Sequence, residues 1–566
     1  MASRREGELN KLVDLPPDIL FCVCSWLSVR DILSLRQVNK PLYFATKEPT
    51  VWFSLLRRLR LILPPAQPLL PNSYVFNTYW SLEYTISRSL RLHHKWTKSY
   101  NPPAHCYAFN AHYRVHTIRF LPGGNHMVTV CKCPDSMGEN IVVWDMTFGG
   151  GRNHVAIAML HSHTAVGKIQ TRYGTVDGRI SLVIAFVRPP VQGRTAISVV
   201  SVPIRILNNL SRLGPGSEEF EAWTKDVQNP FVKLLEKETR YAVGALSLSD
   251  MDGCPVLAVV HRPRNIAIHH LNSGMKSTLK LAPIPEYSTS RHSIWDIKLL
   301  PAQNQILVIR IAIGELSISG IIPFVFELYD IPPINTEIED PMPTQRKLIA
   351  DQSIDGFYVS DSEASWNFRT HPDIHIPMLH KLAERQPPPI SIFFTTKNPR
   401  GFLQFVMVPQ IVNETRYTYS LPERFHAKYE WEEDEMAVII PGAYRSIVWM
   451  RLPERQPHDG IAVQKLAVYL TEEYEFSGYK DADAKHLPPE LPKYMYASEG
   501  DGMDMGEDQP VVRRPQERTM KFPAIHEDIA LEMRNGMLCM MFDEWLGRLC
   551  VATTEDTMMY VMDWSL

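Results

Sequence analysis

The 566-residue sequence has almost no net charge: 59 Lys and Arg against 62 Asp and Glu leave −3. A nucleic-acid-binding chain would show a basic excess or stripe, and this one shows neither. Its densest basic cluster beside the N-terminal helical segment, Arg57-Arg58-Leu59-Arg60, falls where a helix should end, and cations there complement the helix dipole. Cysteine is scarce, with 8 residues and no Cys-x-x-Cys pair, so a disulfide framework is excluded and most thiols should be small buried apolar groups. Cys131 and Cys133 could chelate a metal, but no second Cys or His pair follows at finger spacing. Long uncharged apolar runs are missing as well. The best membrane candidate, 306–326, contains Arg310, Glu315 and Pro323, and two strands joined by a loop explain it better than a span. The start, Met1 to Glu8, is charged with no apolar run behind it, which is unlike a secretory signal. The expectation is an intracellular protein, cytoplasmic and/or nuclear.

Signatures of catalysis are also lacking. There is no Gly-x-Ser-x-Gly elbow and no phosphate-binding glycine loop with its lysine. His161-Ser162-His163 and His269-His270 come closest to metal clusters. In strands, alternation puts only His161 and His163 of these on a shared face, and no third ligand is identifiable. No cofactor, no metal and no catalytic residue is expected.

What is present begins with proline, 44 of 566 residues against a typical ~5%. That excess favours many short elements joined by loops. Residues 12–60 carry a different pattern. Pro16 and Pro17 suit a first helical turn, with Asp14 a candidate N-cap and Asp18 near the positive helix end. Ile19, Leu20, Val23 and Leu27 then recur at helical spacing. Ser28 and Asp31 make a variant capping box opening a second helix with Ile32, Leu33 and Leu35. Asn39-Lys40-Pro41 leads to a third with Leu42 and Phe44, and Glu48-Pro49 to a fourth with Val51, Trp52, Leu55 and Leu59. So short a segment cannot cover both sides of such apolar helices by itself, so a partner or the rest of the chain should finish the burial.

The series Leu15-Pro16-x-x-Ile19-Leu20, then Leu27, Leu33, Leu35, Val38 and Trp52, resembles the F-box, with Asp18 at the family's acidic position. The resemblance covers about 45 residues in register. It implies a Skp-type adaptor as partner and, through it, a cullin. By matching position, Leu15, Pro16, Ile19, Leu20, Leu27, Leu33, Leu35, Val38 and Trp52 form the adaptor contact or its immediate support. Cys22 and Cys24 stand where many members of the family have aliphatics, and should pack adequately.

The remaining organisation is read as a flexible 1–11, a proline-rich and helical linker over 61–104 (helical from Ser73 to about Ser99), and a large all-β region over 105–566. Strand-rich runs with turn signals recur every 40–60 residues, which is propeller spacing with insertions. Candidate blades are 113–162, 166–208, 241–282, 293–350, 353–420, 437–480 and 520–566. Trp144-Asp145 sits where the WD dipeptide of a WD-like repeat belongs, whereas Trp295-Asp296 opens a strand group. A degenerate β-propeller is the preferred fold class, with a sandwich as the alternative. Two polar stretches, 211–228 and 479–518, read as a loop and a disordered insertion. The chain is therefore expected to be the substrate-recognition subunit of a ubiquitin ligase, without catalysis of its own. The alternatives are an F-box scaffold outside any ligase, and a propeller enzyme fused to a docking module.

Overall fold

The computed structural model describes Leu12 and, with short interior breaks, residues 15–59, 83–92, 103–213, 230–349, 354–360, 390–470 and 537–564. The expected insertion at 479–518 and Cys133 lie outside the described residues.

Four helices open the chain: α1 (Pro17–Trp26), α2 (Val29–Leu35), α3 (Lys40–Ala45) and α4 (Pro49–Leu59). Pro17 takes the first helical position, where its missing N–H costs nothing, and the N-cap is Pro16 rather than Asp14. The Ser28 capping box forms in full. Ser28 Oγ accepts from the Asp31 N–H at 3.1 Å, and Asp31 Oδ2 accepts from the Ser28 N–H at 3.2 Å. Asn39 caps α3 through a 3.0 Å bond from the Leu42 N–H. A further helix, α5, lies at 83–92 within the linker. The other linker residues expected to be helical lie outside the described ones.

After a lone strand β1 (His105–Asn110), the chain forms successive, mainly antiparallel sheets. The first blade is β2 (Arg114–Phe120), β3 (His126–Lys132), β4 (Glu139–Asp145) and β5 (Val155–Ser162). The second is β6 (Ile169–Val176), β7 (Arg179–Val191), β8 (Arg194–Pro203) and β9 (Val232–Thr239), with helix α6 (Ile204–Leu213) between its last two strands. The third is β10 (Val243–Met251), β11 (Cys254–His261), β12 (Asn265–His270) and β13 (Lys276–Lys280). The fourth is β14 (Arg291–Leu300), β15 (Gln305–Ile313), β16 (Phe324–Asp330) and, after a short β17 (Glu337–Glu339) that joins the third sheet, β18 (Gln345–Ile349). The fifth is β19 (Ile354–Val359), β20 (Ile390–Lys397), β21 (Arg400–Met407) and, after the hairpin β22 (Pro409–Asn413) and β23 (Arg416–Tyr419), β24 (Ala427–Glu430). A three-stranded sheet follows: β25 (Met436–Ile440), β26 (Arg445–Arg451) and β27 (Gln464–Leu470). The last blade is β28 (Met537–Asp543), β29 (Arg548–Thr553) and β30 (Met558–Asp563), completed by β1.

Six sheets of four or five strands thus make a β-propeller, with the three-stranded sheet inserted before the closing blade. Strands such as β3, β11 and β16 are buried on both faces, and neighbouring blades share cores. One core joins the first and second blades, another the second and third, and further cores join third to fourth and fourth to fifth. The ring closes where β1 pairs with β30 and the last blade packs on the first through Phe109, Trp144, Cys550 and Val561. Arg548, held on Asp563 at 2.8 Å, donates across that seam to the Met146 carbonyl at 3.1 Å.

The structure has six blades where the sequence reading had seven candidates: 437–480 forms the separate three-stranded sheet, which has no fourth strand among the described residues. Three further blade boundaries differ. The second blade continues to 239, because its outer strand returns after the stretch read as loop, whose first three residues belong to α6. The fifth reaches 430. The last takes its fourth strand from residues 105–110, since closing a ring needs a strand from the far end of the domain. The run 306–326 is two strands, as expected, and no helix among the described residues is long and apolar enough to cross a membrane.

Candidate docking face and its coupling to the propeller

The four short helices divide their apolar residues between a core and an uncovered face. Cys24, Val29, Ile32, Val51, Trp52 and Leu55 form the core, with Leu27, Leu33 and Leu35 packed against it. Trp52 is fully buried and its indole Nε1 donates to the Thr46 carbonyl at 2.9 Å, so the α3–α4 turn is tied to the core. Among the nine positions expected at the adaptor contact, Leu20 and Trp52 are interior, while Leu15, Leu27, Leu33 and Leu35 are half-buried. Pro16 is exposed, Ile19 is 44% exposed and Val38 67% exposed. The cysteines also part: Cys24 is buried, whereas Cys22 is exposed.

Two further exposed apolar side chains lie outside the sequence-derived set. Trp26 is 50% exposed and Phe44 65% exposed. Trp26 was legible in principle. It stands seven residues after Ile19, so α1 carries Ile19, Cys22 and Trp26 along one stripe at helical spacing, all exposed.

The bundle is not tethered loosely. Ile86 and Leu90 of α5 belong to its core, and Glu83 pairs with Arg36 at 2.8 Å, with that guanidinium 5.7 Å from the Trp52 ring centroid. The other end of the same helix enters the propeller: Leu92 is buried with Phe542, Leu549, Met562 and Trp564 of the closing blade and Ile440 and Ile447 of the three-stranded sheet. Gly547 admits it, because a Cβ there would lie 2.4 Å from Leu92 Cδ1. One helix of about three turns therefore shares a core with each of the two domains.

On the propeller, the first strand of five sheets carries a bulge near its start, at Val115/Thr117, Val243/Leu246, Ile294/Asp296, Ile354/Gly356 and Met537/Cys539. First strands of neighbouring blades run beside one another around the axis, so these bulges gather at one rim and re-aim side chains there. Trp295, extruded by the β14 bulge, is partly exposed and has Phe324 and Phe357 rings 6.4 Å away. His116 occupies the β2 bulge and lies 3.1 Å from Glu139. In the first blade, Trp144 Nε1 donates to Thr129 Oγ1 at 2.8 Å, joining its second and third strands at the Trp-Asp dipeptide. No group of three or more His, Cys, Asp or Glu placed to hold a metal occurs among the described residues. The His161 and His163 rings do meet on one face, 5.0 Å apart.

An N-terminal helical bundle fused through a shared helix to a β-propeller is the class these elements define. The family comparison agrees at the first of them: residues 12–58 match the family described as F-box-like, and the chain carries an F-box-like domain there. No curated protein matches the sequence. Among solved structures, the chain is similar to the WD40 domain of SCAP from fission yeast, at 10% identity and a TM-score of 0.37 over 63% of this chain and 73% of that one. It is similar to Raptor from Chaetomium thermophilum at 9% identity and 0.37, over 96% of this chain and 40% of that one. It is also similar to the Dos1 propeller at 9% and 0.36, over 82% and 95%. Scores this low carry no argument, and the propeller assignment rests on this chain's own strand pairing and shared cores.

Proposed function

We propose that this protein is the target-recognition subunit of a Skp/cullin-type ubiquitin ligase, its F-box-like bundle seated on the adaptor and its propeller holding a target. The observation that carries this reading is the set of exposed apolar side chains on the bundle, Pro16, Ile19, Trp26, Val38 and Phe44, on a module otherwise packed and capped. Leu15, Leu20, Leu27, Leu33, Leu35 and Trp52 support that face from within or at its margin. The chain supplies no chemistry in this mechanism. It raises effective concentration: a target held beside a charged ubiquitin-conjugating enzyme reacts as if intramolecularly. That gain depends on geometry, which is the use of a helix packed into both domains. The bulged rim bearing Trp295 is the surface we assign to the target, because it presents an aromatic anchor on rigid strands.

The test is co-purification of adaptor and cullin with the full chain, comparing wild type with Ile19→Asp/Val38→Asp. Both positions are exposed, so the variant should fold as wild type while losing the adaptor. Equal recovery would remove the ligase reading. Recovery of adaptor without cullin would favour a scaffold outside a ligase.

A further inference from the structure

The seam between the second and third blades collects basic groups at its outer edge. Their placement follows from strand register. On β11, Leu257, Val259 and His261 alternate onto one face, and Leu257 pairs across with His269 of β12. His269 in turn pairs with Lys276 of β13. Residues directly opposite in antiparallel strands share a face. This face is the one packed against the second blade, since Leu257 and Val259 join Ile197 and Val199 in a single core. From the other side, Lys237 of β9 pairs with Ile197, and therefore points into the same seam. His261, His269, Lys276 and Lys237 thus converge from four strands in two blades. Ala267, with the smallest side chain on that face, lies between the two histidines along β12.

The cluster has no countercharge among the described residues. The acids flanking Lys237 alternate to the opposite face, where Glu236 pairs with Arg188 and Glu238 with Arg194. Lys280 has its own partner in Glu339. The imidazoles are the second, independent sign of a missing ligand. His269 is 5% exposed and His261 8% exposed, yet His269 Nε2 and His261 Nδ1 have no hydrogen-bond partner. Buried polar atoms are normally satisfied, and each exception asks for an explanation. Burial first, and then Lys237 and Lys276, push both imidazoles down to about 4, with His261 and then His270 adding to the effect at His269. No carboxylate offsets this at either ring. Tyr241, whose ring lies 6.1 Å from that of His261, is the remaining titratable group facing them.

We propose that this seam is an anion site for a phosphate-type dianion, held between Lys237, Lys276, His261 and His269. Four potential donors reaching in from different strands suit the oxygens of a tetrahedral oxyanion better than a planar carboxylate. The two ammonium groups supply charge, and the imidazole nitrogens supply the N–H donors that now lack an acceptor. Lys276 is exposed and Lys237 half-buried, so the site opens to solvent. Binding carries a proton signature. A dianion favours the charged imidazoles, so their pKa values rise on binding, and the protein takes up protons as the ligand enters. The site stands apart from the adaptor face and does not depend on the ligase reading.

Thermal melts of the full chain test it, with sodium sulfate, sodium phosphate or a phosphoserine peptide added at constant ionic strength against sodium chloride. Sulfate is the primary probe, because it stays doubly charged between pH 7.5 and 5.5, where inorganic phosphate and a phosphoserine both take up a proton. Wild type should show a saturable rise in Tm with sulfate and with phosphate. Its apparent affinity for sulfate should strengthen at least severalfold from pH 7.5 to 5.5. Lys237→Gln/Lys276→Gln should melt as wild type in chloride and bind at least tenfold more weakly. His269→Gln should keep binding at pH 7.5 and lose about half of the pH dependence, the remainder belonging to His261. Tighter binding of the phosphoserine peptide than of free phosphate would place the anion on a polypeptide; equal binding would make it a free ion. A Tm rise that is unsaturable, equal in the lysine variant, or indifferent to pH would overturn the proposal.

Discussion

At the scale of single residues, the sharpest energetic demands come from buried charge. Arg310 and Glu327 are almost fully buried in the fourth blade, 3.1 Å apart, and Glu327 also accepts from Tyr329 Oη at 2.7 Å while Arg310 donates to the Ala282 carbonyl at 2.6 Å. Removing Glu327 strands Arg310, whereas removing Arg310 leaves Glu327 with Arg346 at 3.4 Å. Glu327→Ala should cost about 3–5 kcal/mol, read as a lowered urea midpoint, whereas cutting an exposed pair such as Arg194–Glu238 should cost under about 1 kcal/mol. Histidines set the pH response. Burial holds His126, His261 and His269 near 4, below the ordinary value of 6.5, so they are neutral in the folded chain. The unfolded chain binds more protons between those values. Stability is therefore fully present above about pH 6.5 and is lost as pH falls toward 4. Melting curves across that window should show a falling Tm, and a flat profile would contradict the assignment. None of these positions was legible in advance: Arg310 read only as an obstacle to a membrane span, and nothing in a linear sequence pairs Lys237 with His269.

At the scale of elements, the sequence was most informative where local chemistry decides structure. Ser28 and Asp31 form the expected capping box, and Pro17 starts α1 where a proline can. It was least informative where tertiary packing decides. Trp52 and Ile19 belong to one motif, but only the folded bundle shows that the indole is interior and the isoleucine uncovered. The role of α5 was hidden for the same reason, since its apolar positions announce burial without naming the two partners. Leu92 and Gly547 now give a test. Gly547 holds a positive φ of 65° and has no room for a Cβ, so Gly547→Ala combines backbone strain with displacement of Leu92. That variant, and Leu92→Ala, should retain adaptor and target binding yet lower the rate of target ubiquitination several-fold in a reconstituted assay. An unchanged rate would show that the helix is only a tether.

At the scale of the whole molecule, strand grouping and turn spacing made a propeller legible, because each blade is a local unit. Closure was not, because β1 and β30 are separated by most of the chain. The architecture divides labour: the N-terminal bundle offers an apolar face, the ring offers rims and seams, and one helix joins them. The measurement that tests this most directly is the recovery of adaptor and cullin on the full chain, with three samples in parallel. Wild type should retain both. Ile19→Asp/Val38→Asp should lose both at an unchanged Tm, and Trp52→Ala should lose both because the bundle core is emptied, at about 3–5 kcal/mol. Full recovery of the adaptor by the folded Ile19→Asp/Val38→Asp variant would contradict the account.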